Sequence, residues 1–300
     1  MRLFYFNITY RCNSACIFCA ADHPIEMDNS QMSLSEFEKI LAQNNVGIGD
    51  RVVVNGGEPT VHPEFFGFLD AIQARGAKID LFTNGMRLQD EGFASHLLQY
   101  DNIYIRIPLF GASSEVHDKL TGCPGGFEKV VKGLDYITSN LRQGVDLEIK
   151  MLLAKMNVPE NEKIYDLISA RWKAPKIRIS LNPLLISKCV IQHKKMFIDT
   201  YEEMMKESEP LIRRVIHDGR HFQMDLVPYC TFPNEDLVEL CHGNTSTHGS
   251  YYADPNSKTT VDALKGREQC AQCKYVNRCA GFPSSYIRYF GPGVMKPIRY

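Results

Sequence analysis

The chain has 300 residues, close to the upper limit for a single hydrophobic core, so we predict one large domain with a smaller appendage. Its 34 basic residues balance 35 acidic ones, and no run of five like charges marks a surface for nucleic acid. No apolar stretch is long enough to span a membrane and no secretion signal is visible, so we expect a cytoplasmic protein.

The strand and helix patterns alternate along the first two thirds of the chain. Strands are predicted at 3–9, 51–55, 77–82, 102–109, 146–153 and 176–181, and helices at 33–41, 63–75, 88–100, 127–141, 159–171 and 194–217. Six strand–helix alternations predict an α/β fold with a parallel sheet and right-handed crossovers. Alternation alone fits an open sheet or a barrel, and either puts the functional loops beyond the carboxyl ends of the strands.

Three cysteines follow the first predicted strand, at Cys12, Cys16 and Cys19. Three thiolates from one loop can hold three irons of a cubane cluster and leave the fourth iron open to bind a ligand. A zinc site is the alternative, and His23 is the nearby residue that could complete it. Ten cysteines in a reducing compartment indicate metal binding or catalysis before disulfides.

A second unusual segment follows the second strand. Two adjacent glycines allow the backbone to approach a ligand closely, and the glutamate after them can support the loop. A strand-to-helix turn that uses glycines for steric reasons is the alternative interpretation. The segment consists of Gly56, Gly57, Glu58 and Pro59.

Five more cysteines lie in the last quarter of the chain, where helical periodicity fades. Cys270, Cys273 and Cys279 have a spacing that can wrap one metal centre, and Cys230 can supply a fourth ligand. Cys241 is the remaining candidate and could replace Cys279. Zinc and an iron–sulfur cluster both suit such a set of thiolates.

The first cysteine motif, with an aromatic residue at Phe18, resembles the signature of the radical S-adenosylmethionine (SAM) enzymes. The resemblance implies a partial (β/α)6 barrel and a [4Fe-4S] cluster on Cys12, Cys16 and Cys19. It also implies that SAM is cleaved reductively to a 5′-deoxyadenosyl radical, with an electron from flavodoxin or ferredoxin. The segment 56–59 is similar to the family element that receives the amino group of SAM, and Asn84 lies in a second recurring element.

The C-terminal cysteines resemble a shortened, twitch-like form of the SPASM extension that some radical SAM enzymes carry. That resemblance implies one auxiliary [4Fe-4S] cluster on Cys230, Cys270, Cys273 and Cys279. A second auxiliary cluster is not expected, because Pro283 stands where a further cysteine would come. We therefore predict a radical SAM core over 1–222 and an auxiliary-cluster region over 223–300.

Two further cysteines lie on the expected active face. Cys123 is a candidate hydrogen-atom donor to a substrate radical, which would permit epimerisation, and Cys189 is a weaker one. Both are otherwise read as small buried apolar residues. Without a donor, an auxiliary cluster could accept the second electron and give an oxidation.

Several polar residues have no assigned role. His117 and Asp118 follow the fourth strand and could contact the ribose of SAM or the substrate, or be solvated loop residues. Lys150 and Arg178 lie within strands, as substrate contacts or as partners of Glu148 and Asp146.

The favoured function is hydrogen abstraction from a polar small molecule, such as a sugar, an aminocyclitol or a natural-product intermediate, giving oxidation or epimerisation. The first alternative is a radical SAM maturase of a ribosomally made peptide. It is ranked lower because only 11 residues precede Cys12, too few for a domain that binds a leader peptide. The second alternative is a non-catalytic iron–sulfur or zinc protein.

Overall fold

The computed structural model describes residues 2–22, 30–173, 177–224, 226–242, 251–253, 263–264, 267–279 and 281–299. Ten strands lie in these ranges. They are β1 (Leu3–Thr9), β2 (Arg51–Gly56), β3 (Lys78–Phe82), β4 (Ile103–Pro108), β5 (Val145–Leu153), β6 (Ile177–Pro183), β7 (Phe222–Met224), β8 (Tyr251–Ala253), β9 (Ala263–Leu264) and β10 (Phe282–Pro283).

Helices alternate with the strands through the first two thirds of the chain. They are α1 (Leu34–Gln43), α2 (Phe65–Gln73), α3 (Glu91–Leu97), α4 (Ser114–Thr121), α5 (Gly126–Ser139), α6 (Val158–Arg171), α7 (Lys188–Gln192), α8 (Lys194–Phe197), α9 (Tyr201–His217), α10 (Glu235–His242), α11 (Arg267–Cys270) and α12 (Ser284–Phe290). Among the described residues, no helix is both long and apolar enough to cross a membrane.

The first eight strands form one sheet in the order β7-β6-β5-β4-β3-β2-β1-β8. Every neighbouring pair in it is parallel. β9 and β10 form a separate antiparallel pair. The α/β architecture is the partial barrel expected from the sequence, and β7 and β8 are strands that the sequence analysis did not predict.

The two faces of the sheet differ in character. In β4, Ile103, Ile105 and Ile107 are fully buried in the apolar core. The alternate residues, Tyr104 and Arg106, lie on the opposite, concave face, where they bond to acidic side chains of neighbouring strands. Because side chains alternate across a strand, helices cover the apolar face and the interior of the barrel is polar.

Local sequence signals explain several helix boundaries. The Ser33 hydroxyl accepts a hydrogen bond from the Glu36 N–H at 3.2 Å, which confirms the predicted start of α1. The predicted helix 194–217 is divided into α8 and α9 instead. The division follows from Thr200, whose hydroxyl caps α9 by accepting from the Glu203 N–H at 3.3 Å.

The C-terminal region packs against the rim of the barrel. The Ser285 hydroxyl accepts a hydrogen bond from the Ile186 N–H at 3.2 Å, just after β6. The Tyr286 hydroxyl accepts from the Tyr201 N–H at 2.9 Å, and the two rings stack with centroids 4.1 Å apart. These contacts fix α12 to the edge of the sheet where the strands end.

Candidate active site

The loop that carries Cys12, Cys16 and Cys19 follows β1 at the carboxyl edge of the sheet, and all three residues are partly exposed. Hydrogen bonds fix the loop to the end of α4: the Ala15 N–H donates to the Thr121 carbonyl at 2.9 Å. A second bond of this kind, from the Ile17 N–H to the Leu120 carbonyl, measures 3.0 Å. The backbone of the loop is therefore held in place without a metal ion.

Aromatic packing supports the same loop. Phe18 is buried, and its ring lies edge-on to Phe110 and Phe197, with centroid separations of 4.8 Å and 5.6 Å. Edge-to-face pairs of this kind stabilise a fixed ring position. The aromatic residue of the motif thus orients the last cysteine of the loop.

Two thiols of this loop, those of Cys12 and Cys16, are held in their protonated form in the absence of a cation. Burial raises the pKa of the Cys12 thiol to about 11. Burial also raises the pKa of Cys16, and the neighbouring Cys12 and Cys19 thiols add to that effect. Metal binding at such a site releases protons, because the bound ligand is the thiolate.

The donor set fits an iron–sulfur cluster better than a single ion. Within the described residues, no three His, Cys, Asp or Glu side chains converge closely enough to hold one metal ion. Thiolates around a cubane bind different irons and so need not converge on one point. His23, the candidate fourth zinc ligand, lies outside the described residues.

The segment after β2 packs directly on the backbone that precedes Cys12. A Cβ atom on Gly56 would lie 2.0 Å from the Thr9 carbonyl oxygen, and one on Gly57 would lie 2.3 Å from that of Arg11. The Gly57 N–H also donates to the Thr9 carbonyl at 2.7 Å. The glycines are therefore required for close packing between two loops, a steric role that agrees with the alternative interpretation of this segment.

Glu58 joins the loops that follow β2 and β3. Its side chain is buried, and it accepts hydrogen bonds from the Thr60 N–H at 3.1 Å and the Thr60 hydroxyl at 2.6 Å. The Thr83 hydroxyl and the Asn84 N–H donate to the same carboxylate, both at 2.6 Å. Burial raises the pKa of Glu58, and these donors oppose that effect. The Glu58 carboxylate is thus an internal tie rather than an open ligand, and Pro59 beside it is also buried.

Asn84 continues this connection toward the cysteines. Its side-chain amide donates to the Asn13 side-chain oxygen at 2.6 Å, next to Cys12 in the chain. Glu58 therefore holds Asn84, which in turn contacts the cysteine loop. The structure brings together three segments that the sequence analysis proposed separately.

Cys123 and Cys189 both lie beside the cysteine loop. Cys123 is partly exposed, its thiol is 3.5 Å from the Met86 sulfur, and the preceding Gly122 packs against the Ala15 carbonyl. Cys189 is buried, and burial together with the Asp22 carboxylate raises its pKa to about 12. The raised pKa keeps the Cys189 thiol protonated at neutral pH. The role of either cysteine as a hydrogen-atom donor stays a prediction.

His117 and Asp118 have structural roles. The buried His117 ring accepts a hydrogen bond from the Phe110 N–H at 3.3 Å through Nδ1. The Asp118 carboxylate accepts from the N–H groups of Gly125 and Phe127, both at 2.7 Å, and so caps α5. These contacts favour structural roles over contact with the ribose of SAM.

The stability of the protein should fall between about pH 6.5 and pH 4 because of His117. Burial lowers its pKa to about 4, so unfolding takes up a proton in this range. Above about pH 6.5, the pKa of His117 in the unfolded chain, the neutral ring costs the fold nothing. As the pH falls from there to 4, the free energy of unfolding decreases by about 3 kcal/mol. Urea unfolding of the wild type and of His117→Gln across this range measures the effect. Parallel curves for the two proteins would contradict the prediction.

The barrel interior holds a network of charges that the sequence analysis did not assemble. Arg106 donates to both oxygens of Asp80, at 2.7 Å and 2.8 Å, and to Glu148 at 3.1 Å. Glu148 also accepts from the hydroxyls of Tyr104 and Ser180. These buried carboxylates are well supplied with donors, which offsets the cost of burying them.

Lys150 lies at the upper edge of this network, and its ammonium is 3.4 Å from Glu148. Arg178 lies 3.9 Å from Asp146 at the other end of the barrel. The predicted partnerships of these two cations with acidic residues are confirmed. The signal in the sequence was the polar residue at every second position of β4 and β5.

The four C-terminal cysteines line one cavity. Cys230, Cys270, Cys273 and Cys279 surround it together with Tyr275. Burial raises the pKa of Cys230 to about 11. As a donor set, four thiols suit an iron–sulfur cluster or zinc, but in their present positions they do not converge closely enough to hold a single ion.

Cys241 is not part of this group. It is fully buried in α10 and packs in the apolar core, and it is not among the residues that line the cavity. Its burial raises the pKa of its thiol to about 12, as expected for an apolar setting. The geometry favours Cys279 over Cys241 as a ligand.

A family profile described as Radical SAM superfamily matches residues 6–168. The chain belongs to the radical SAM superfamily. Its partial barrel, with the cysteine loop at the carboxyl edge of the first strand, is the fold that this membership implies. The superfamily uses a [4Fe-4S] cluster and SAM, which the three thiols of the loop suit.

Among curated relatives, the mycofactocin maturase MftC of Mycobacterium tuberculosis is 29% identical over 54% of this chain and 40% of its own length. The antilisterial bacteriocin subtilosin biosynthesis protein AlbA of Bacillus subtilis is 27% identical over 92% of this chain and 66% of its own length. This chain thus spans less than half of MftC and about two thirds of AlbA.

Among solved structures, Streptococcus suis SuiB bound to the precursor peptide SuiA has a TM-score of 0.59 and 19% identity. The match covers 74% of this chain and 48% of SuiB. At this identity the likeness shows the fold alone.

These relatives correct the expectation about the substrate. The preference for a polar small molecule as substrate and partner is wrong, because maturation and bacteriocin biosynthesis in the relatives favour the peptide alternative. The preference rested on the 11 residues before Cys12, and the start of the sequence carries no information about the substrate.

Proposed function

We propose that this chain is a radical SAM maturase of a ribosomally made peptide. The observation that carries the proposal is the match to AlbA, a bacteriocin biosynthesis protein, over 92% of this chain. The match to the mycofactocin maturase MftC supports the same function. Membership in an enzyme superfamily weighs against a non-catalytic iron–sulfur or zinc protein.

We assign the SAM-binding cluster to Cys12, Cys16 and Cys19. The cluster and SAM, when bound, supply the one-electron chemistry that generates a hydrogen-abstracting radical. The fixed backbone of the cysteine loop and the tie through Glu58 and Asn84 support this assignment, since both hold the loop before any ligand arrives. Gly56, Gly57 and Pro59 shape the neighbouring wall.

We assign an auxiliary [4Fe-4S] cluster to the cavity lined by Cys230, Cys270, Cys273 and Cys279. The cavity lies within the proposed extension over 223–300, and strands β1 to β6 lie within the proposed core over 1–222, while β7 (Phe222–Met224) crosses the proposed boundary. Contacts from α12 to the barrel rim connect this extension to the carboxyl edge of the sheet.

Replacement of an auxiliary ligand should remove one of two metal centres. We expect Cys273→Ala to lower the iron content from about eight to about four atoms per chain, because one cubane is lost. Cys241→Ala is the matched control, since that thiol is outside the cavity, and it should keep all the iron. Iron and zinc analysis after anaerobic reconstitution measures the result. A wild-type protein with about four irons and one zinc would contradict the assignment.

The proposed function is tested with a synthetic peptide encoded by a short reading frame beside the gene. The reconstituted protein, SAM and a reductant are incubated with the peptide in deuterated water, and the products are analysed by mass spectrometry. Deuterium at a peptide carbon indicates epimerisation with a thiol donor such as Cys123, and loss of two hydrogens indicates a crosslink or oxidation. Cleavage of SAM that leaves the peptide unchanged would overturn the proposal.

A further inference from the structure

Three cations meet on the inner face of the barrel at the amino ends of the strands, opposite the cysteine loop. Arg51 begins β2, Lys78 begins β3 and Arg178 is the second residue of β6. Their charged groups lie 5.7, 5.6 and 5.4 Å from the centroid of the Tyr104 ring, and Arg106 lies 4.4 Å from it. Cations pack favourably against an aromatic face, but four of them around one ring repel each other.

Asp146 is the acidic residue shared by two of these cations. Its carboxylate is 2.9 Å from the Lys78 ammonium and 3.9 Å from the Arg178 guanidinium. The attraction of both cations lowers the pKa of Asp146, although burial opposes it. One negative charge therefore faces two positive ones.

The positive charge of Arg51 also lacks a carboxylate of its own. It contacts Asp80 at 3.2 Å, but Arg106 already binds both oxygens of that carboxylate. Along the interior of the described strands, the cations Arg51, Lys78, Arg106, Lys150 and Arg178 face the carboxylates Asp80, Asp146 and Glu148. Five cations and three carboxylates leave an excess of two positive charges.

The neighbouring His221 does not correct this imbalance. Its Nε2 lies 3.5 Å from an Arg178 nitrogen, and burial together with Arg178 lowers its pKa. The His221 imidazole is therefore uncharged at neutral pH and leaves the excess of positive charge unchanged.

A second observation points to a missing acceptor. The Arg51 Nε–H is buried and has no hydrogen-bond partner among the described residues. A buried donor without an acceptor costs about 1–3 kcal/mol. The side chains themselves are open to solvent, with exposed fractions of 22% for Arg51, 24% for Lys78 and 32% for Arg178.

We propose that this mouth of the barrel, defined by Arg51, Lys78 and Arg178, binds an oxyanion of the phosphate type. Two guanidinium groups supply planar pairs of donors and the ammonium supplies a point charge, a combination that suits a tetrahedral oxyanion. A concave site with charges of one sign concentrates the opposite charge. The buried pairs of Arg106 with Asp80 and Glu148 separate this mouth from the cysteine loop, so the site is independent of the proposed maturase function.

The test is thermal unfolding of the anaerobically purified full chain with increasing inorganic phosphate, at constant ionic strength adjusted with chloride. The midpoint of the wild type should rise and saturate, because a ligand that binds the native state stabilises it. Arg178→Gln should weaken the apparent affinity about tenfold, the effect of losing roughly one charge-assisted contact. Adenosine diphosphate in place of phosphate separates a nucleotide ligand from a free anion, and saturable stabilisation by either supports the site.

Arg214→Gln is the matched control. Arg214 is an exposed guanidinium on α9, paired with Glu162 and Asp166 outside the barrel, and its loss should leave the phosphate effect unchanged. Lys78→Gln provides a second test variant if Arg178→Gln does not fold. Equal effects of phosphate and chloride on the wild type, or equal losses in Arg214→Gln and Arg178→Gln, would overturn the proposal.

Discussion

Glu58→Ala should destabilise the protein by about 3 kcal/mol or more and abolish binding of SAM. The substitution leaves four donors without their acceptor: the buried N–H and hydroxyl of Thr60, the buried Thr83 hydroxyl and the partly buried Asn84 N–H. Each buried unsatisfied group costs about 1–3 kcal/mol, and hydroxyl groups that rotate to other acceptors recover part of that. Loss of the tie also frees Asn84, which holds the cysteine loop through Asn13.

Glu58→Gln is the matched variant. The glutamine side chain keeps the shape of Glu58 and one acceptor oxygen. Its amide N–H₂ group replaces the other carboxylate oxygen, which accepted a hydrogen bond in the wild type. We therefore expect a smaller loss, about 1–2 kcal/mol, from the lost acceptor. Urea unfolding of anaerobically purified proteins and equilibrium binding of SAM give the two readouts. An Ala variant within about 0.5 kcal/mol of the wild type would show that the tie does not stabilise these loops.

The pairing of consecutive barrel strands could be predicted from the alternation of strands and helices along the chain. In β4 and β6, apolar residues that face the helices alternate with polar residues that face the barrel interior. Consecutive parallel strands then pair as neighbours, as the sheet order confirms.

β8 could not be predicted in this way. It has three residues and pairs with β1, which lies about 240 positions earlier in the chain. A local pattern contains no information on a pairing at that distance. The short helix α4 was also missed. Its eight residues lie between β4 and a glycine-rich turn, and together with that turn they resemble one long loop.

The candidate site also has features that could be predicted from the sequence and features that could not. The cysteine loop could be found because three thiols at fixed spacing are a local pattern, and the C-terminal cysteines likewise occupy one cavity. A steric need for Gly56 and Gly57 could be expected from a turn, but their packing partners could not, since these are the backbone atoms of Thr9 and Arg11. Their likeness to a family element indicated where they matter, and the structure gives the steric reason.

The charged interior was visible in the sequence but easily misread. Alternating polar residues in a strand usually indicate a face in contact with water. In β5 the alternate residues Asp146, Glu148 and Lys150 lie on the inner face of a barrel instead, where they pair with cations and hydroxyls of other strands. Only the closure of the sheet distinguishes these two cases.

Cys16→Ala should remove the SAM-binding cluster and abolish formation of 5′-deoxyadenosine. The iron content should fall by about four atoms per chain, since a cubane held by three thiolates does not persist on two. Cleavage of SAM should decrease by at least about three orders of magnitude, equivalent to about 4 kcal/mol in activation free energy. The fold should survive, because the loop is fixed by the backbone bonds of Ala15 and Ile17 rather than by the thiol.

Cys189→Ala is the matched control for iron content and SAM cleavage. Its thiol is buried beside the same loop, near Asp22, and it is not among the three cysteines of the motif. We expect this variant to keep its iron and to release 5′-deoxyadenosine at the wild-type rate. Iron analysis and chromatography of the nucleoside products compare the two variants directly.

Cys123→Ala separates the proposed hydrogen donor from the cluster. Its thiol contacts Met86 rather than a cysteine of the motif, so iron content and SAM cleavage should persist. If the reaction is an epimerisation that ends at Cys123, the inverted peptide should no longer form, because the substrate radical has lost its donor. Wild-type amounts of inverted peptide from Cys123→Ala would exclude this thiol, and continued SAM cleavage by Cys16→Ala would overturn the assignment of the cluster itself.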